Sequence, residues 1–190
     1  MTSKASRWCG AIAGAGISLA FICPVTVNRA SGQTEPRAPA ANAVASNFLV
    51  PDDPEAVFED ARIVHNVTAD GEKGMRVHAK FHVKYGKSVP CMMIAYFYYD
   101  DSANTPLKAS SHPDYRSYRT TKGQVSAHAN FTPAYDPAVY NDLQLFVPYN
   151  ALNMARGEQY QLKFYLALYD KEGERTFGKS GWYKFHLDVP

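Results

Sequence analysis

Eleven consecutive residues, 75–85, alternate without a break between apolar and polar side chains. Met75, Val77, Ala79, Phe81, Val83 and Tyr85 are interleaved with Arg76, His78, Lys80, His82 and Lys84. Successive side chains of an extended chain point to opposite faces, whereas a helix repeats every 3.6 residues. The run therefore reads as a β-strand with one dry and one wet face. The dry face needs a partner layer, so the pattern should recur along the chain, and it does. Val125, Ala127, Ala129 and Phe131 alternate with Gln124, Ser126, His128 and Asn130. Tyr160, Leu162, Phe164, Leu166 and Leu168 form the inner set of another strand, and Tyr183, Phe185, Leu187 and Val189 that of the last.

Two segments are apolar on both faces: Cys-Met-Met-Ile-Ala-Tyr-Phe-Tyr-Tyr at 91–99 and Leu-Lys-Phe-Tyr-Leu-Ala-Leu-Tyr at 162–169. Such strands belong in the middle of a sheet, where neighbours cover them. Residues 57–67 and 143–147 bring the set to about seven strands. Breakers separate them: Asp70-Gly71, Gly74, Lys122-Gly123, Thr132-Pro133, Asp136-Pro137, Gly157 and Lys171-Glu172-Gly173. No amphipathic helix longer than ten residues is readable, although residues 150–156 allow one helical turn. The expected fold is all-β: a two-layer antiparallel β-sandwich of seven to eight strands over residues 55–190, immunoglobulin-like or C2-like. Tyr160 opens a long strand just after Gly157, where its hydroxyl can turn back to the preceding loop as a tyrosine corner.

The first third is built differently, because all 13 tyrosines fall between Tyr85 and Tyr183. Lys4 and Arg7 precede an uncharged stretch, residues 8–28, whose apolar part ends before Pro24. A basic start, a short apolar run and a small-residue exit at Ala30-Ser31-Gly32 make a secretory signal pattern, with cleavage expected before Gln33. The alternative for residues 1–32 is a retained membrane anchor, but the run is short for a bilayer core of about 30 Å. Ile22 before Cys23 disfavours lipidation there, because a lipidation motif wants a small residue at that position. Residues 33–54 are rich in Ala, Pro, Asn and Ser and read as a disordered linker. The expected location is therefore exported: periplasmic, cell-envelope or extracellular. Membrane contact would come only through an uncleaved N-terminal segment.

The whole chain carries a net charge of +2. Loss of Lys4, Arg7 and Arg29 with the signal leaves 17 basic against 18 acidic groups, a net −1. That balance argues against a nucleic-acid partner. Cys91 would be the only thiol left, so no internal disulfide is available.

Several segments together carry a resemblance: His65-Asn66-Val67, residues 73–81, Tyr96-Phe97-Tyr98, Leu107-Lys108, Gly123-Gln124-Val125-Ser126, Asn130-Phe131-Thr132-Pro133, Tyr140-Asn141-Asp142 and Leu145-Phe146-Val147-Pro148-Tyr149. From about Arg62 to Val189 the chain resembles a bacterial C2-like or immunoglobulin-like accessory domain of unestablished function, often found C-terminal to helical repeats or other modules. The resemblance implies an accessory role and supplies no catalytic residues. The chain departs from it in having no companion module beyond the linker, and in a longer segment between Ala109 and Arg119.

The motifs that suggest chemistry fit poorly with their context. Gly173-Glu-Arg-Thr-Phe-Gly-Lys-Ser180 matches a phosphate-binding P-loop, but an alternating strand follows it where a helix is needed. His78 and His82 share a strand face about 13 Å apart, too far for one metal ion. Asp100, Asp101, Asp136, Asp142 and Asp170 sit at strand ends, where turn capping accounts for them without calcium. Cys91 has no visible base beside it and reads as a buried inert thiol. No enzyme, cofactor or metal is expected.

What remains is aromatic. Tyr115, Tyr118, Tyr135 and Tyr140 lie in or beside loops, and Arg116 and Arg119 flank the first two. Exposed Tyr with Arg is the composition of binding hot spots. The expected function is a non-enzymatic envelope module binding another protein or an envelope component through Tyr115, Arg116, Tyr118, Arg119, Tyr135 and Tyr140, with residues 109–119 and 132–140 as neighbouring loops. The alternative is a carbohydrate-binding module stacking sugars on Tyr115, Tyr118, Tyr96 or Tyr98. A flat line of rings on one sheet face would favour sugar, and a cluster of loop ends would favour protein.

Overall fold

The computed structural model describes residues 53–189, which lie within the compact unit Asn47–Pro190. The signal expected at 1–32 and nearly all of the linker at 33–54 lie outside the described residues. Eight strands form two antiparallel sheets. One sheet has three strands: β1 (Glu55–Ala69), β2 (Glu72–Lys84) and β5 (Ala138–Pro148), in the order β1-β2-β5. The other has five strands: β3 (Cys91–Tyr99), β4 (Ser126–Phe131), β6 (Gln159–Asp170), β7 (Arg175–Lys179) and β8 (Tyr183–Asp188). Its order is β4-β3-β6, and β7 and β8 share the far edge of β6, each pairing with one half of it. The fold is the expected β-sandwich.

The alternating run at 75–85 lies along β2, the middle strand of the smaller sheet. Met75, Val77, Ala79, Phe81 and Val83 are fully buried, and the polar set between them faces outward. The alternation stops one position early. Tyr85 follows the strand at φ 57°, and its ring is 46% exposed. The chain turns there, and the Tyr85 N–H donates to Asp136 at 2.8 Å.

The two doubly apolar segments are β3 and β6, the central strands of the larger sheet. Their inward residues are Met93, Ala95, Phe97, Leu162, Phe164, Leu166 and Leu168, which join β2 in one continuous core. Burial on this scale supplies most of what opposes chain entropy.

Two strands run longer than expected, and bulges explain why. Along β5 the inward residues are Tyr140, then Leu143 and Leu145, an odd step caused by a register shift opposite Ala79–Phe81. In β1 the register shifts twice, between Phe58 and Asp60 and between Val64 and Val67. A bulge inserts one residue and swaps the faces, so a strict period of two cannot follow these strands through. The P-loop match lies in the β6–β7 hairpin and β7 itself. Asp170 accepts the N–H groups of Glu172 and Gly173 at 3.0 Å each, closing the turn ahead of an extended strand.

The tyrosine corner is present. The Tyr160 hydroxyl accepts the Ala155 N–H at 3.3 Å, bracing the loop that enters β6. Replacing Tyr160 with Phe should cost about 1 kcal/mol, the usual net value of one such bond. Urea denaturation of the two proteins measures it, and equal midpoints would show that the loop does not need this bond.

Candidate functional site

The loop residues expected to act together do not meet. Tyr115, Arg116 and Tyr118 lie on a 3₁₀ segment, Pro113–Tyr118, beside the β1–β2 turn, where the Tyr115 hydroxyl donates to Glu72 at 3.0 Å. Arg119 donates to the Ser110 carbonyl at 3.3 Å. Tyr135 belongs to the other end of the sandwich, where neighbouring Asp136 accepts the Tyr85 N–H at 2.8 Å. Glu72 and Tyr85 are opposite ends of β2, separated by roughly 40 Å of extended chain. Residues 109–119 and 132–140 therefore form two surfaces rather than the single neighbouring pair of loops expected.

Tyr140 is also not a loop residue. It lies in β5 with its ring stacked on Phe81, centroids 4.8 Å apart, and edge-on to Phe131 at 5.0 Å. That geometry is core packing. Tyr115 and Tyr118 are half-buried, and burial pushes both phenols up from their ordinary range, with the Glu72 carboxylate adding to it. Among the six residues, Tyr135 is the most exposed ring, at 76%.

A denser cluster of rings lies on the outer face of the five-stranded sheet. The alternation that buries Phe97 sends Tyr96 and Tyr98 to the opposite side. Across the ladder Tyr96 faces Tyr165 and Tyr98 faces Lys163. The Tyr96 and Tyr165 centroids are 5.2 Å apart, and those of Tyr98 and Tyr165 are 5.8 Å apart. Trp182, in the connection between β7 and β8, meets Tyr98 at 5.1 Å and Tyr165 at 5.2 Å, its plane perpendicular to both. Trp182 is 44% exposed, and the three tyrosines are half-buried. Met92 and Ile94 extend the same face along β3, opposite Tyr169 and Ala167.

Cations frame these rings. The Lys163 ammonium is buried beneath Trp182, 5.1 Å from its ring centroid. It donates to the Asp101 carbonyl at 2.7 Å and lies 3.7 Å from the Asp100 carboxylate, so its charge is compensated. Lys184 pairs with the other Asp100 oxygen at 2.9 Å. The Lys179 ammonium lies 4.2 Å from the Tyr165 centroid, within cation–π range. Burial pushes the Tyr96 and Tyr165 phenols upward, and at Tyr165 a hydrogen bond with Tyr98 adds to it. Both hydroxyls therefore stay protonated at neutral pH and can donate as well as accept.

Sequence reasoning named Tyr96 and Tyr98 as stacking candidates but missed Tyr165, Trp182 and the lysines. The missing signal was register: nothing in the linear sequence places Trp182 beside Tyr98.

The other candidates resolve into structural roles. His78 pairs with Asp142 at 2.6 Å, and His82 lies 3.5 Å from Glu59. Among the described residues no group of three or more His, Cys, Asp or Glu is placed to hold a metal ion. The Cys91 thiol donates to the Val89 carbonyl at 3.3 Å. Burial, with the Asp170 carboxylate adding, pushes its pKa from 9.0 up to about 11. The folded state thus disfavours the thiolate, so this contribution to stability is complete below pH 9.0 and fades as pH climbs toward 11. Iodoacetamide at pH 7.5 should leave Cys91 unmodified in the native protein and alkylate it fully in denaturant. Rapid native labelling, read by mass spectrometry, would contradict the buried thiol.

No family model and no curated protein matches the chain.

Proposed function

We propose that the chain is an exported, non-enzymatic module that binds a cell-envelope polysaccharide through the outer face of its five-stranded sheet. The observation that carries this reading is the cluster of Tyr96, Tyr98, Tyr165 and Trp182 on that face. Sugar rings present C–H faces that pack on aromatic side chains, while neighbouring hydroxyls exchange hydrogen bonds with the sugar. The cluster supplies both the rings and the phenol hydroxyls. Its three tyrosines sit on the rigid central strands β3 and β6, so little ordering cost for them falls on binding. Export rests on the N-terminal pattern of Lys4, Arg7 and the apolar run that follows.

The loop surface at Tyr115 and Tyr118 supports a weaker case. Tyr115 is tied to Glu72 at the β1–β2 turn, and Tyr118 lines the same hollow beside it.

The test is affinity electrophoresis of the full chain through gels cast with envelope polysaccharides. Trp182→Ala combined with Tyr98→Ala should weaken retardation about tenfold or more, equivalent to roughly 1.4 kcal/mol. The far-ultraviolet spectrum should be preserved, because neither side chain lies in the core between the sheets. Retardation unchanged in the double variant, or absent in the parent protein for every polymer, would overturn the reading.

A further inference from the structure

Resting on that reading, we propose that the polysaccharide is an acidic one, with anionic groups along its sugar chain engaged by Lys179 and Lys184 at the border of the ring cluster. The argument is charge complementarity. Lys163, Lys179 and Lys184 bring positive charge to the face; Asp100 pairs with Lys163 and Lys184, the Asp101 carboxylate also interacts with Lys163, and Lys179 is the cation left over. Lys179 has no salt-bridge partner among the described residues, and it is held over the Tyr165 ring. The cation caps the Tyr165 ring, so it can meet an anionic substituent while the sugar face meets the neighbouring Tyr98 and Trp182.

Lys184 projects from β8 directly opposite Lys163 and is largely exposed, with 71% of its side chain accessible. It can exchange Asp100 for a ligand anion with little change in packing. Lys163 cannot, since its ammonium is enclosed beneath Trp182 and bound to the Asp101 carbonyl. The face thus divides into a fixed internal cation that orients the indole and two outer cations available to a ligand. A neutral polymer would leave the Lys179 charge unanswered, while Lys184 would keep its pairing with Asp100. A protein partner would gain from the rings too, but it would not require the sugar-stacking geometry.

The experiment compares polygalacturonate (carboxylate-bearing), dextran sulfate (sulfate-bearing), neutral dextran of matched length and polyglutamate, a polyanion without sugar rings. The full chain is titrated with each. Both acidic glycans should bind at least tenfold more tightly than dextran and polyglutamate. Their relative affinities show which anion the lysines prefer. Affinity should fall steeply as salt shortens the screening length from about 10 Å toward 3 Å.

Lys179→Gln with Lys184→Gln should reduce acidic-glycan binding at least fivefold and lower the ratio of acidic-glycan to dextran affinity by a similar factor. Trp182→Ala should reduce both. Equal binding of dextran and the acidic glycans would overturn the acidic assignment and leave the ring surface standing. Equal binding of polyglutamate would reduce the effect to charge alone and overturn it as well. No binding to any glycan, with capture of a protein that Trp182→Ala abolishes, would overturn both this inference and the polysaccharide reading beneath it.

Discussion

Replacing Phe81 with alanine is expected to lower the unfolding free energy by about 3–5 kcal/mol, the range for removing a large ring from a closed core. Phe81 is fully buried in the middle strand of the smaller sheet. Its ring lies within stacking or edge contact of three others: Tyr140 at 4.8 Å, Phe131 at 5.5 Å and Phe58 at 6.1 Å. These come from β5, β4 and β1, so one deletion opens a void shared by both sheets. Strand backbones cannot move inward without breaking ladder bonds, which limits relaxation around the void. Against a typical total of about 5–15 kcal/mol, such a loss removes a large share of stability. The measurement is urea denaturation at constant slope, since only the midpoint should move. A loss under about 1 kcal/mol would show that the cluster is not a packed core.

Gly74→Ala is expected to be the second most damaging change, at about 3 kcal/mol, the upper end of the range for overpacking, because the added methyl group meets backbone. Gly74 pairs with Pro148 across the β2–β5 ladder. A Cβ there would run into the Val147 carbonyl oxygen, and would lie 2.8 Å from the Pro148 Cα and from the Phe146 ring tip. The ring can swing away, but the backbone atoms cannot. Gly71, three residues earlier in the same hairpin, makes the control. It sits at φ 80° with open space around it, so alanine there meets only the left-handed penalty of roughly 1 kcal/mol. Thermal unfolding of the two variants should separate them clearly, and equal losses would refute the steric account.

Legibility followed the hydrophobic period. β2, β3, β4, β6 and β8 each keep one face dry without interruption, and their inner residues could be named in advance. β5 was read as five residues because Asn141 and Asp142 fall where the bulge swaps faces. β7 carries one large apolar residue, Phe177, between Arg175 and Lys179, and left no alternation to find. Cys91 and the Tyr160 corner were readable because each depends on local neighbours. The binding surface was not, because it depends on which strands lie side by side.

The amino-acid sequence by itself determined the class of fold, the inward side of most strands and the central places of β3 and β6, since each follows from a period of two or from two apolar faces. Tertiary structure alone decided that residues 109–119 and 132–140 belong to opposite ends, that Tyr140 is core, and that Trp182 joins Tyr96, Tyr98 and Tyr165. Those outcomes depend on strand order and register. Both are set by packing between residues far apart in the chain, and alternation along a single strand carries no record of its neighbours.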